Sequence, residues 1–285
     1  MAIGIILALL GGISLGGITS FAALSYLHGA EPVTLIALRG SVAALVMLLV
    51  TLSARSAIRI PSSGLRHIIA IGTFLALMGF GLMGSVAFIS PGLAVAILYL
   101  YPIMVLAWES LRTRTTPSLR QSAAFGIALI GIITCVGVGG PLHPVGIALA
   151  FMAAIGMAGF LITSAASTRA GFGSGVLIWA NMLAVLPALL FIMASDNAGS
   201  LPHNSIGWMA VLAASLLYAF GVMFSILALR KLAAPNVALI MNIEPITTLL
   251  AAHLLVAETL SALQYSGMII AVLGIIIGNN IKKQT

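Results

Sequence analysis

The stretch "ALIMNIEPITTLLAAHLL", residues 238–255, is apolar enough to cross a bilayer, yet it carries Glu244 near its middle and Pro245 directly after. The whole chain has only five acidic residues. If the helix starts near 235, nine residues at about 1.5 Å each place Glu244 roughly 14 Å deep. A carboxylate there costs at least about 3 kcal/mol on insertion scales. Such a group faces the bundle interior or a wet cavity, where it can hold a proton, an amine or a basic side chain.

A second stretch, "ILYLYP" at 97–102, sets Tyr99 and Tyr101 immediately before Pro102. Aromatic rings bearing a hydroxyl suit a pocket for amphipathic solutes. At about 100° per residue the two rings point about 200° apart, so a straight helix aims only one of them inward. Arg39, in "LIALRGSVAAL", is the basic residue inside an apolar span. It is a candidate gate, substrate partner, ion-pair partner of Glu244 or snorkelling anchor. Phe160 and Tyr218 are further pocket candidates, and Asn242 can bind substrate or bridge two helices.

These groups need a frame, and composition indicates which kind. Of 285 residues, 61% are hydrophobic and 6% charged, against roughly 25% charged in soluble domains. A water-facing surface cannot be built from so few charges, so the chain reads as an all-α, polytopic membrane protein. The basic residues form no continuous patch, which argues against a nucleic-acid partner. A single cysteine, Cys135, excludes an intramolecular disulfide. No metal or cofactor motif is present. HExxH and Walker signatures are absent, and the one aspartate, Asp196, excludes an aspartyl dyad, so the chain does not read as an enzyme.

Breaks at Pro, Gly, Arg and polar clusters predict ten spans, near 3–26, 33–53, 66–88, 91–111, 119–139, 145–166, 175–194, 206–228, 235–256 and 262–281. Eleven of the twelve Lys and Arg residues fall in connections on one side of that arrangement, or at the chain's end on that side. The positive-inside rule then puts both termini in the cytoplasm and the chain in the cell (inner) membrane.

Shifting the chain by 143 residues aligns 97–133 with 240–276, with thirteen identities in 37 positions, including Pro102/Pro245, Gln121/Gln264 and Gly131/Gly274. A shift of 144 pairs "GITS" at 17–20 with "LITS" at 161–164. Two five-helix repeats, 1–139 and 140–285, follow. Five is odd, so the second copy enters from the opposite face, and the expected fold is two inverted repeats around a central cavity. The paired prolines are expected hinges, each freeing the carbonyl four residues earlier, Leu98 and Met241. Unpaired backbone at that depth belongs beside a cavity or inside protein. Gly12/Gly16 and Gly274/Gly278 have the spacing of close helix contacts, with a dimer interface the lesser expectation beside a monomer.

With its ten spans, its duplicated halves, the prolines in spans four and nine, and "AETLSALQYSGMIIAVLGIIIG", the sequence resembles the EamA branch of the drug/metabolite transporter superfamily. "YLYP" resembles a segment of the amino-acid exporters of that superfamily, the aromatic YddG type included. The first repeat departs from the tail motif, with Thr115 where the second has Glu258, and span one lacks the tryptophan common in such proteins. The resemblance implies export of small metabolites. The site chemistry, a carboxylate and acceptors for an ammonium group with aromatic walls, matches an amino-acid substrate. Facilitated movement of a drug-like solute or nucleoside, without proton coupling, is the alternative.

Overall fold

A computed structural model describes residues 1–53, 62–137, 142–172, 175–194, 199–256 and 259–278. Helices dominate, and no strand occurs among the described residues. They are α1 (Ala2–Leu27), α2 (Pro32–Ser53), α3 (Leu65–Ser85), α4 (Pro91–Leu98), α5 (Tyr101–Thr113), α6 (Leu119–Val136), α7 (Pro144–Arg169), α8 (Gly175–Ala194), α9 (Ser205–Leu229), α10 (Ala234–Ile240), α11 (Ile243–Val256) and α12 (Ala262–Gly278). With α4–α5 and α10–α11 each counted as one span, nine segments among the described residues are long and apolar enough to cross a bilayer, and α12 is a shorter apolar helix. Large apolar side chains such as Leu111, Met193 and Leu254 are exposed, as lipid-facing residues must be. The chain is a multi-pass membrane protein.

Spans four and nine differ from expectation. Each is broken, at Tyr99–Leu100 and at Met241–Asn242, where the sequence predicted a continuous kinked helix. The prolines fall in the first turn of the second piece, where a missing N–H costs no helical bond. The carbonyl of Met241 is therefore not free, since it accepts from the Glu244 N–H at 2.9 Å. The third span also stops short of 88, because residues 86–88 turn after Ser85.

The largest interfaces join the two halves, and each has a repeat-related counterpart. The pair α1–α9 matches α7–α3, α2–α9 matches α8–α3, and α1 against α10 and α11 matches α7 against α4 and α5. The pairs α6–α12 and α2–α8 map onto themselves. Glycines set the close approaches. Gly4 lies against Lys231 and Leu232, and Gly11 against Gly221 and Ser225, so α1 and α9 run antiparallel. Gly81 lies against Leu149 and Ala153, and Gly156 against Phe74 and Met78, so α3 and α7 do the same. In the α6–α12 pair, Gly131 faces the backbone of Ala271 while Gly274 faces that of Ala128. These are the same contact written twice, because both residue pairs are related by the 143-residue shift.

That shift also explains Gln121 and Gln264. Ser118 caps α6 by accepting from the Gln121 N–H at 3.2 Å, and Ser261 accepts from the Gln264 N–H at 3.2 Å. The Gln264 side chain reaches back to the Ser261 N–H at 2.9 Å, completing a capping box. The shared glutamine thus belongs to a helix start.

Candidate functional site

Both breaks lie inside the bundle, where they meet a cavity of about 450 Å³. Its lining runs from Leu98, Tyr101 and Glu244 at the breaks, along α1, α2 and α3, to Tyr26, Val86 and Pro91 at the helix ends. It therefore occupies one half of the bundle's length. Most of the wall is apolar, with Arg39, Tyr218 and Thr19 among the polar contributors. The volume lies within the range of about 300–1,000 Å³ found for small-molecule sites.

Tyr101 and Glu244 are related by the 143-residue shift, and both face this space. Each is the first or second residue after its break, so the break presents it to the cavity instead of to the next helical turn. Tyr101 is nearly inaccessible, at 1%, and its hydroxyl donates to the Ala238 carbonyl at 3.5 Å. That carbonyl is available because Asn242 N–H turns to Leu239 instead. The break in span nine thus frees a carbonyl, but Ala238's, and a tyrosine from span four takes it.

Tyr99 does not line the cavity. It is buried beside the Glu244 side chain, and its ring lies 5.7 Å from that of Tyr101. It supports the carboxylate from behind. Its repeat partner Asn242 is likewise buried and off the cavity, and its Oδ1 has no hydrogen-bond partner among the described residues. Phe160 is also buried away from the cavity. Pro102 and Pro245 shape the breaks without lining the space.

Arg39 and Tyr218 share the other wall. The guanidinium carbon sits 5.0 Å from the Tyr218 ring centroid. The Tyr218 hydroxyl donates to Asn181 Oδ1 at 3.1 Å, and Asn181 Nδ2 donates to the Leu177 carbonyl at 2.9 Å. Asn181 was not among the sequence candidates, although an amide inside "LIWANMLAV" is the same kind of signal as Glu244. Arg39 and Glu244 do not form an ion pair. Among the described residues, Arg112–Glu109 is the one ion pair.

Gly12 and Gly16 bring α1 onto the break in span nine. Gly12 lies against Met241 and Ile243, and Gly16 against the Glu244 carbonyl and Thr247. Thr248 Oγ1 donates to the Gly16 carbonyl at 3.0 Å. Close helix contact is thus the use of this pair, and it fixes the backbone that carries Glu244.

The model of the EamA-like transporter family matches the chain twice, over residues 2–137 and 144–279. This chain belongs to the EamA-like transporter family. The two matches correspond to the two halves whose contacts mirror each other. No curated protein matches the chain. Twenty-nine chains of solved structures do. One crystal structure aligns with a TM-score of 0.74 at 17% identity, covering 97% of this chain and 96% of that one. At that identity the likeness shows the fold alone. As an EamA-like protein the chain is a membrane transporter of small solutes, and no catalytic family is indicated.

Proposed function

We propose that this EamA-like protein exports amino acids with apolar or aromatic side chains, by alternating access between two inverted five-helix repeats. The observation that carries the reading is the pairing of Tyr101 and Glu244 at repeat-related helix breaks on one cavity. An ammonium group wants a carboxylate and acceptors, and an apolar side chain wants the surrounding wall. The antiparallel run of α1 with α9 and of α3 with α7 supports the inversion. Span eight repeats span three, and spans one and three cross in the same direction, so an uninverted copy would run parallel to α1.

The partition of Lys and Arg supports cytoplasmic termini in the cell (inner) membrane. With that topology the cavity opens away from the cytoplasm, as an exporter does when it releases its cargo. A monomer is the proposed working unit. The packing of the buried Tyr99 beside Glu244 favours a second reading, in which Glu244 is structural and the protein is an uncoupled facilitator.

Counterflow in proteoliposomes against a panel of amino acids, nucleosides and sugar phosphates tests the substrate class. Uptake of apolar and aromatic amino acids is expected. Transport of phosphorylated sugars with indifference to amino acids would overturn it. Dependence of the rate on an imposed pH gradient separates coupled export from facilitation.

A further inference from the structure

The cavity holds a basic and an acidic side chain that do not meet. Arg39 enters it from α2 and Glu244 from the start of α11, and no ion pair joins them. Glu244 lies beside the buried Tyr99. The other described carboxylates are engaged, Glu31 with the Gly199 N–H at 2.8 Å and Glu109 with Arg112. Arg39 has five N–H donors, and none donates to a described residue. Its contacts are with the Tyr218 ring and with α3, where a Cβ on Gly79 would lie 3.7 Å from Nη2. A guanidinium left this way at membrane depth is costly unless something supplies acceptors.

The surroundings hold Arg39 in place without satisfying it. Tyr218 supplies a π face, which attracts the cation, and its hydroxyl is committed to Asn181. Asn181 in turn is anchored to the Leu177 carbonyl. A second space of about 20 Å³, lined by Arg39, Asn181 and Tyr218, lies beside the guanidinium; it has room for about one water. Snorkelling toward the headgroups would draw the side chain away from Tyr218, and the ring contact shows it held inward.

We propose that Arg39 is the anion-recognition group of this cavity, binding the carboxylate of the transported solute, with Tyr218 and Asn181 as positioning residues. This deepens the amino-acid reading and rests on it for the second half of the match, the ammonium group at Glu244. A zwitterion satisfies both charges at once. An amine leaves Arg39 unpaired, and a simple carboxylate leaves Glu244 unmatched. Bidentate pairing of Arg with carboxylate gives orientation as well as attraction.

The test uses three compounds with one side chain: phenylalanine, phenethylamine without the carboxylate, and N-acetylphenylalanine without the ammonium. Counterflow is measured in proteoliposomes of the full chain. Wild-type protein should move phenylalanine best. Arg39→Gln should lower the ratio of phenylalanine to phenethylamine transport by about tenfold or more, and Arg39→Lys should restore part of it. Tyr218→Phe keeps the ring but loses the Asn181 bond, and should raise KM for phenylalanine while kcat stays close to wild type. Equal loss for all three compounds in Arg39→Gln, or an unchanged ratio, would overturn the assignment.

If Arg39→Gln does not assemble, thermal stabilisation of purified wild-type protein decides. Phenylalanine must stabilise more than phenethylamine, and equal shifts refute the anion site. Arg39-dependent movement of N-acetylphenylalanine with no movement of phenylalanine would retain the anion site and sink the amino-acid reading.

Discussion

At the scale of single residues, the division of labour between Tyr99 and Tyr101 is the point periodicity could not settle. Uniformly apolar spans hide their rotation, and the 200° separation said only that one ring faces in. The repeat itself held the answer, since Tyr101 aligns with Glu244 and Tyr99 with Asn242. The first pair lines the cavity and the second lies behind it. Phe160 had no such partner signal and lies buried away from the cavity. Two predictions belong here. Glu244→Gln should remove the pH-dependent part of transport while the purified protein keeps its thermal stability. An intact pH profile would exclude a coupling role. Tyr99→Phe removes the hydroxyl beside Glu244 and should displace the pH profile of transport without changing the order of preferred substrates. Counterflow across a pH series reads both.

At the scale of elements, the sequence located the spans to within a few residues but predicted kinks where the chain breaks. A proline in an apolar run signals a missing hydrogen bond; it does not say whether the helix bends or restarts. The restart depends on Met241 accepting from Glu244 N–H and on Tyr101 reaching Ala238, neither visible along one span. The glycine contacts give a sharper prediction. A side chain at Gly131 or Gly274 meets the backbone of the opposite helix, which cannot yield as a flexible side chain can. Gly131→Leu and Gly274→Leu should each cost about 1–3 kcal/mol, the range for overpacking, and by similar amounts because the contacts are repeats of one another. Gly126→Ala, on the same helix with nothing within 4 Å, should not destabilise. Thermal unfolding in detergent compares them.

At the scale of the molecule, charge placement was the clearest signal in the sequence, because the ten-span reading puts eleven basic residues on one side. Cysteines at Thr113 and Arg169 should label only from the cytoplasm, and one at Ser261 only from outside. All three positions are exposed, and Cys135 is buried and adds little background. Labelling of Arg169 and Ser261 from one side would refute the topology. Ser56 and Asn197, in the two connections most useful for the same test, lie outside the described residues. What the sequence left hidden at this scale is that the halves interleave instead of standing side by side. Each span's main partner comes from the other copy, and contacts between copies depend on side chains that a one-dimensional repeat does not reveal.

That interleaving has a consequence for biosynthesis. The chief partner of α1 is α9, which begins at Ser205, so α1 enters the bilayer long before the helix it packs against exists. At about 5–20 residues per second of synthesis, it waits on the order of ten seconds or more. Through that interval the glycine faces and Arg39 are open to lipid or to insertion factors. A ribosome that stalls between the copies leaves a half-protein with no closed core, a ready target for membrane quality control. The inserted chain becomes self-sufficient only when its last helices arrive.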